Sequence, residues 1–455
     1  MQAMKCQRER YLQKLIARKG NGLVKIITGI RRCGKSFLLF TLFKEHLQSE
    51  GVDSQHLIEI QLDDDKLEDL RDPRKLSAAI RARIPSDGKM TYVFIDEIQL
   101  CRKVLAKGVV LRDLPIDERK FAYVTFYDVL NGLMKLPNVD LYVTGSNSKM
   151  LSRDIATNFR DRGFEIRLHP LSFEEYYAVS GLEKSEAFDE YLIWGGMPVV
   201  VQEKDENVRA SYLKDLFKKV YVKDICERHR LKSDYELDKL VDVLSSSIGS
   251  LTNPHKLVNS LRTVMGVKTS DRTLKKYLDY LEESFLFSKA KRYDVKGRRY
   301  LDYPEKYYAE DPGLRNARMN FRQIEFSHLM ENVIYNELIA RGCNVDVGVV
   351  DLTCQKGGGV EHRQHEIDFI VNLGVRRVYV QSALEMQTPE KREQESLSLR
   401  KSGDFFRKII VTSGLRRPLE SEDGIITVGV IPFLLDHTIL TGESAATGYG
   451  FSWEA

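Results

Sequence analysis

Residues 29–36 are the first side chains in this chain whose types and spacing could do chemistry. They read Gly-Ile-Arg-Arg-Cys-Gly-Lys-Ser, with a short β-rich run before them and an apolar helical pattern after them. Glycine lets backbone N–H groups approach an anion closely, because no Cβ stands in the way. The lysine would reach phosphate oxygens and the serine hydroxyl would bind Mg²⁺, as in the Walker A loop that holds ATP or ADP. The residues predicted to contact the nucleotide here are Gly29, Ile30, Arg31, Arg32, Cys33, Gly34, Lys35, Ser36 and Phe37.

Two carboxylates follow a later apolar run. Residues 92–95 read as a buried strand that ends in Asp96 and Glu97. Asp96 is expected to hold Mg²⁺, mostly through water, because Mg²⁺ gives up its water reluctantly. Glu97 is expected to orient or deprotonate the attacking water, as in a Walker B sequence. A plain solvated turn is the alternative for this Asp-Glu pair, and the phosphate loop upstream argues against it.

A further strand at residues 141–144 ends in polar side chains that could sense the γ-phosphate. Asn147 or Ser146 could do so, and Thr144 is a weaker candidate. Alternatively, Asn147 caps the turn that follows.

Arg160 and Arg162 stand just before the next strand. One of them could act as an arginine finger on the nucleotide of a neighbouring subunit, which would require a homo-oligomer. The alternative is a surface ion pair with Asp161.

The elements that must position these groups alternate along residues 1–170. Strands alternating with helical patterns predict an α/β fold with a parallel sheet covered on both faces. Residues 101–125 interrupt the alternation with a basic, partly apolar insertion to which the sequence assigns no structure. The predicted strands are residues 23–28, 57–62, 91–95, 139–144 and 164–168.

Length and composition exclude several classes of protein. The 455 residues suffice for two to four domains, and no stretch approaches the ~18 apolar residues of a transmembrane helix. The N-terminus lacks the apolar run of a secretory signal. Six cysteines are scattered without a Cys-x-x-Cys pair, which argues against a zinc site or a disulfide framework. We therefore expect a cytoplasmic protein with no membrane partner.

Three regions are expected after the nucleotide-binding core of residues 1–170. Residues 171–232 predict a helical lid that opens with a capping box between Ser172 and Glu175. Residues 233–305 predict a winged helix, because helical patterns precede a hairpin with a basic turn. Residues 320–440 predict a further α/β unit, with a helix over 326–340, five short strands and a flexible loop over 355–365.

These segments together resemble a broad prokaryotic family of AAA-superfamily P-loop ATPases with a C-terminal nuclease-like domain of unknown function. The resemblance implies an ATPase core, a winged helix and a restriction-endonuclease-like C-terminal domain, but no settled biological role. It covers nearly the whole chain. The segments that carry it are residues 28–36, 94–99, 144–152, 170–175, 191–198 and 331–338.

The nuclease chemistry of such a domain needs an Asp on one strand and Glu-x-Lys on the next. Asp368 fits the first position, but Gln381 stands where Glu is needed and Ala383 where Lys is needed. A neutral amide is a poor Mg²⁺ ligand and alanine carries no charge. We therefore expect a catalytically degenerate domain, and a nuclease that uses Asp368 and Glu385 is the alternative.

Positive charge is concentrated in residues 251–300, which hold 12 Lys plus Arg against 5 Asp plus Glu, a net +7 compared with +4 for the whole chain. Such a surface would bind DNA or RNA phosphates in a salt-dependent, mostly non-specific way. A solvated face or a protein-docking surface is the alternative. The side chains predicted to meet phosphates are Lys275, Lys276, Arg292, Lys296, Arg298 and Arg299.

The sequence thus predicts an ATP-hydrolysing protein that acts on or with nucleic acid. A slow nucleotide-dependent switch, or a protein-interaction module with little turnover, is the second hypothesis.

Overall fold

The computed structural model describes residues 6–146, 162–231, 234–266, 269–356, 359–414 and 416–442. The chain forms two compact units. The N-terminal unit comprises residues 5–169 together with 283–285, and the C-terminal unit comprises 170–282 together with 286–455. None of the helices in the described ranges is long and apolar enough to cross a membrane.

A five-stranded parallel sheet forms the centre of the N-terminal unit, in the order β2-β3-β6-β1-β7. The parallel sheet predicted from the sequence is therefore confirmed. The unassigned insertion of residues 101–125 contains β4 and β5, which pair as a separate antiparallel ribbon. The strands are β1 Val24–Thr28, β2 Leu57–Gln61, β3 Thr91–Asp96, β4 Val104–Leu105, β5 Tyr123–Val124, β6 Val139–Gly145 and β7 Gly163–Arg167.

Helices cover both faces of this sheet, so every residue of β1, β3 and β6 is buried. The helix after β1 begins at Lys35, passes through a π-helical segment and ends at Ser49. Pro73 starts another helix, and the Asp72 carboxylate accepts a hydrogen bond from the backbone of Arg74. The helices of this unit are Glu9–Ile16, Lys35–Phe37 with Leu38–Phe43 and Lys44–Ser49, Pro73–Arg83 and Phe126–Leu133.

The C-terminal unit is built on a nine-stranded mixed sheet, in the order β15-β16-β14-β13-β12-β11-β9-β10-β8. Its strands are β8 Leu251–Thr252, β9 Phe287–Asp294, β10 Arg299–Ala309, β11 Asn344–Lys356, β12 Gly359–Leu373, β13 Arg376–Ala383, β14 Arg407–Thr412, β15 Leu419–Glu420 and β16 Ile425–Gly429.

Helices precede and surround that sheet. The predicted capping box is confirmed, because Ser172 and Glu175 exchange side-chain to backbone hydrogen bonds of 3.0 and 3.3 Å. The helices are Phe173–Ser180, Lys184–Trp194, Pro198–Gln202, Glu206–Asp215, the π-helical Leu216–Val222, Lys223–His229, Tyr235–Ser246, Pro254–Met265, Asp271–Glu283, Pro312–Arg318, Phe326–Ala340, Pro389–Arg400, Val430–Leu435 and Thr438–Thr441.

The two glycines at residues 195 and 196 have a structural role. The Gly196 backbone N–H donates to the buried Asp311 carboxylate at 2.7 Å. A Cβ on Gly196 would lie 2.0 Å from the carbonyl oxygen of Leu171. Burial raises the pKa of Asp311 to about 6, although three backbone N–H groups lower it. The segment of residues 191–198, which contributes to the family resemblance, therefore contains a glycine pair whose backbone packs closely around the buried Asp311 carboxylate.

The β9–β10 hairpin expected from the sequence is present, with pairs such as Arg299 with Asp294. It follows a helix, the short strand β8 and two further helices, and β8 pairs with β10 at Thr252 and Glu305. On its other side β9 pairs in parallel with β11, where Arg292 lies opposite Val347. The hairpin is therefore hydrogen-bonded into the same sheet as β11–β16, and the predicted boundary at residue 305 falls within β10.

The prediction of a flexible loop over residues 355–365 is wrong. Strand β11 continues to Lys356 and β12 begins at Gly359, with Gln355 opposite Val360 and Val350 opposite His365. An antiparallel ladder satisfies the backbone N–H and C=O groups of such a segment, so its polar and glycine-containing composition does not prevent strand formation.

Candidate nucleotide site

Strand β1 delivers the glycine loop to the carboxyl edge of the parallel sheet. Gly29 has φ 144° and Gly34 has φ 102°, both in the region that favours glycine. A Cβ on Gly29 would lie 2.1 Å from the carbonyl oxygen of Leu168 and 3.1 Å from the sulfur of Cys33. Glycine is therefore required at residue 29 both by backbone conformation and by space.

Lys35 is the first residue of the helix that follows the loop, and its side chain is buried. The Nζ atom donates to the carbonyl oxygens of Gly29 and Ile30, each at 3.1 Å. The loop thus holds an ammonium group at the N-terminus of a helix, where backbone N–H groups and the helix dipole also favour an anion.

Ser36, in the first turn of the helix after the glycine loop, forms a hydrogen-bonded group with Asp96 and Thr144 at the ends of β3 and β6. The Ser36 hydroxyl donates to Oδ2 of Asp96 at 2.6 Å, and the Thr144 hydroxyl donates to Oδ1 of the same carboxylate. Asp96 and Thr144 are buried. Because β6 is the neighbour of both β1 and β3 in the sheet, their carboxyl ends bring these side chains together.

Glu97 is held by two partners. Its backbone, with φ 50°, donates from N–H to the Thr144 hydroxyl at 3.0 Å. The Gln99 amide donates to the Glu97 carboxylate and also to the Ser146 hydroxyl at 3.3 Å. Sequence reasoning ranked Thr144 below its neighbours and missed Gln99. The sequence feature that could have pointed to Gln99 is its position two residues after Glu97, within a short turn.

A magnesium ion fits this oxygen-rich corner. Ser36 and Asp96 offer the hydroxyl and carboxylate oxygens that Mg²⁺ prefers. Within the described ranges no group of three or more His, Cys, Asp or Glu could hold a metal. The ion would therefore need phosphate oxygens and water as its remaining ligands.

The other predicted nucleotide contacts differ in exposure. Ile30 and Cys33 are buried, and the Cys33 thiol lies 3.4 Å from the carbonyl oxygen of Leu168. These two residues can therefore offer a ligand their backbone rather than their side chains. Arg31 is half-buried, Arg32 is exposed with φ 65°, and Phe37 is 39% exposed.

The predicted sensor and finger residues are only partly described. Asn147 and Arg160 lie outside the described residues. Arg162 is exposed, and its carbonyl accepts a hydrogen bond from the backbone of Val24 at 3.0 Å, directly before β7. The finger role stays a prediction.

The C-terminal unit holds a second group of ionisable side chains, centred on Lys306 of β10. Its Nζ atom lies 2.9 Å from Glu331, 2.6 Å from Glu366 and 3.5 Å from Asp368. Lys306 is only 4% exposed. An ammonium group therefore stands among the carboxylates that a metal-dependent nuclease would need for its ion.

Hydrogen bonds from neighbouring strands hold Asp368 and Gln381 in place beside Lys306. Burial raises the pKa of Asp368 to about 6, and Lys306 and a backbone N–H of Ser382 oppose that shift. Gln381 accepts a hydrogen bond from the backbone of Asp368 at 3.3 Å and donates to Glu395 at the same distance. Glu385, the alternative metal ligand, is exposed and lies beyond the end of β13.

The basic residues predicted to meet phosphates are exposed, with one exception. Arg292 is only 7% exposed, and its guanidinium donates to Gln364 at 3.3 Å, so the prediction for Arg292 is wrong. Neighbouring residues of a strand point to opposite faces, and Arg292 of β9 points inward while Lys291 points outward. The exposed members are Lys275, Lys276, Lys296, Arg298 and Arg299.

Comparisons with known proteins agree with this organisation. A model of an AAA domain matches residues 21–177, and a model of a domain of unknown function matches residues 185–325. An uncharacterised protein of Haemophilus influenzae is 33% identical over 433 residues, covering 94% of this chain and 98% of that protein. An uncharacterised protein of Methanocaldococcus jannaschii is 24% identical over 397 residues, covering 84% and 78%.

Among solved structures, the chain is similar to AMPPCP-bound DnaA from Aquifex aeolicus. That protein is 13% identical, and the match covers 60% of this chain and 86% of that chain with a TM-score of 0.28.

Proposed function

Because the chain belongs to a family of AAA-domain proteins with a region of unknown function after the AAA domain, we propose that it binds ATP with Mg²⁺ and hydrolyses it. The observation that carries the proposal is the joined group of Ser36, Asp96, Thr144 and Glu97 beside the glycine loop. Phosphate and Mg²⁺ binding need only the glycine loop, Ser36 and Asp96. A second carboxylate held in place beside them, that of Glu97, is what hydrolysis requires in addition.

The side chains divide the work. Lys35 would exchange its contacts with Gly29 and Ile30 for the β- and γ-phosphate oxygens, and the loop N–H groups would bind the same oxygens. Ser36 and Asp96 would hold the Mg²⁺ that accompanies ATP. When bound, that ion supplies charge neutralisation for the phosphates.

Glu97 would accept the proton from the water that attacks the γ-phosphorus, or orient that water, as the bond to the leaving oxygen of ADP breaks. Thr144 fixes the Glu97 backbone, and Gln99 fixes its carboxylate. The products are ADP, inorganic phosphate and a proton. These contacts fix the position of Glu97, and a displacement of about 1 Å can cost about a hundredfold in rate.

Two variants separate binding from hydrolysis. Lys35→Ala should abolish both ATP binding and turnover, whereas Glu97→Gln should keep ATP binding and lose turnover by about a hundredfold or more. Phosphate release and binding of a fluorescent ATP analogue are measured on the same preparations. Unchanged turnover in Lys35→Ala would refute the site. Tight ADP retention without turnover in the wild type would favour the slow nucleotide switch.

We further propose that the helices around β8 and the β9–β10 hairpin form a winged helix that binds nucleic acid. The support is the order of the elements, the pairing of β8 with β10 and the five exposed cations. Replacing Lys275 and Lys276 by Gln should lower the magnitude of the log–log salt slope of binding by roughly 1.4–1.8. ATP turnover should rise when DNA or RNA is added to the wild type. An unchanged slope in the double variant would refute the surface.

We propose that the C-terminal unit cuts no nucleic acid. Lys306 forms ion pairs with Glu331, Glu366 and Asp368 where a metal ion would stand, and Gln381 occupies the position of a metal-binding Glu. Plasmid incubated with the protein in Mg²⁺ or Mn²⁺ should stay intact. Cutting that disappears in Asp368→Ala would contradict this proposal.

A further inference from the structure

A row of four aromatic side chains with one guanidinium among them crosses the sheet of the C-terminal unit. The rings of Tyr300 on β10 and Tyr293 on β9 are 5.2 Å apart, at 70° to each other. The guanidinium carbon of Arg377, on β13, lies 5.3 Å from the ring of Tyr293 and 5.3 Å from the ring of Phe406. The ring of Phe406 is in turn 5.9 Å from that of Tyr379. Four strands or strand ends thus contribute to one continuous row.

The outer part of this row is open. Tyr300 is 59% exposed and Phe406 is 41% exposed, and the adjacent Phe405 is fully exposed. Further in, Tyr379 belongs to the apolar core that the helix Pro389–Arg400 covers through Leu399, and Tyr293 is packed against that core. The row therefore runs from solvent-exposed rings to a ring that is buried in the core. Its inner rings are fixed by the core, and its outer rings face solvent.

Positive charge accompanies the rings. Lys291 and Arg377 both lie close enough to Asp346 to lower its pKa, and Tyr300 donates a 3.1 Å hydrogen bond to that carboxylate. Burial nevertheless raises the pKa of Asp346 overall. Arg298 and Arg376 are exposed at the turns that flank the row. Asp346 thus holds the Tyr300 side chain in place through a hydrogen bond, and several cationic side chains surround it.

We propose that this row, the Tyr300–Phe406 platform, binds single-stranded nucleic acid by stacking its bases. Aromatic rings and guanidinium planes accept the flat faces of bases, and the neighbouring cations attract the phosphates. A duplex offers no free base faces, so the platform selects single strands. The proposal deepens the nucleic-acid part of the proposed function and rests on it, but it needs neither ATP turnover nor Lys275 and Lys276.

The test compares two labelled probes of equal length and charge, a thymidine oligonucleotide and an abasic deoxyribose-phosphate oligomer, bound to the full chain. The wild type should bind the thymidine strand more tightly. Tyr300→Ala should weaken thymidine-strand binding by roughly 5- to 100-fold and leave the abasic strand nearly unaffected. Tyr300→Phe, which keeps the ring and loses the hydroxyl, should retain most of the affinity.

Matched controls separate this platform from the winged helix. Phe326→Ala removes a half-exposed ring elsewhere in the C-terminal unit and should change neither affinity. Replacing Lys275 and Lys276 by Gln should weaken both probes alike, because only charge is lost. Equal binding of the two probes by the wild type, or equal losses on both probes in Tyr300→Ala, would overturn the platform even if ATP hydrolysis is confirmed.

Discussion

Thr144→Val tests whether the end of β6 positions Glu97, the carboxylate proposed to act in hydrolysis. Valine has nearly the shape of threonine, so the buried site stays filled while the hydroxyl is lost. That hydroxyl donates to Asp96 and accepts from the Glu97 backbone. Loss of a hydrogen bond to a carboxylate costs about 1.5–3 kcal/mol, and a buried N–H left without a partner costs about 1–3 kcal/mol.

The two losses share one hydroxyl and are not additive, so we expect the free energy of unfolding of the N-terminal unit to fall by about 2–5 kcal/mol. Turnover should fall by about 10- to 100-fold, because Glu97 is no longer fixed. ATP affinity should change much less, since Lys35 and the loop are untouched. Phosphate release at saturating ATP, binding of a fluorescent analogue and urea unfolding measure the three quantities.

Thr144→Ser is the matched control, because it keeps the hydroxyl and removes only a methyl group. It should retain most of the turnover. ATP hydrolysis by Thr144→Val within about twofold of the wild type, far less than the expected loss, would refute the positioning role of Thr144. Equal losses of turnover in the Ser and Val variants would refute it as well.

Three further predictions concern buried groups. Lys25→Met leaves the Asp140 carboxylate buried without its ammonium partner and should lower the free energy of unfolding by about 3–5 kcal/mol in urea; a loss under about 1 kcal/mol would contradict the pairing. Gly196→Ala places a Cβ against the Leu171 carbonyl and should lower the melting temperature of the C-terminal unit, whereas an unchanged value would show that the packing relaxes. Lys306→Met removes the cation that favours the ionised forms of Glu331 and Asp368, so the pKa values of these two carboxyl groups, already raised by burial, rise further. The folded state then binds protons that the unfolded state has released, and the stability deficit should be larger at pH 8 than at pH 5; equal deficits in urea at the two pH values would refute that role.

Much of the nucleotide site could be predicted from the sequence, because it lies in short continuous segments. The glycine loop, Asp96 and Glu97 each follow a recognisable strand. The contacts of Thr144 with Asp96 and Glu97 could not be predicted, since they depend on β6 lying beside β3 in the sheet, and local spacing does not determine strand order. Asn147 and Arg160 stay predictions.

The C-terminal unit was harder to predict, because its important contacts join distant strands. Lys306 lies on β10 and meets Asp368 of β12 across the sheet, so no local motif links them. Arg292 sits within a basic run that suggests a solvated surface. Strand alternation turns it inward, and the boundaries of β9 were needed to see this.

The pairing of β9 with β11 restricts the positions at which recombination with a related gene could join two segments of this chain. A cut near residue 320 would strip β9 and β10 from the sheet, expose the backbone edge of β11 and remove Lys306 from its carboxylates. A cut near residue 170 leaves all nine strands together. Recombination could therefore replace the N-terminal unit as a block, whereas the basic helices and the C-terminal strands must be inherited as one piece.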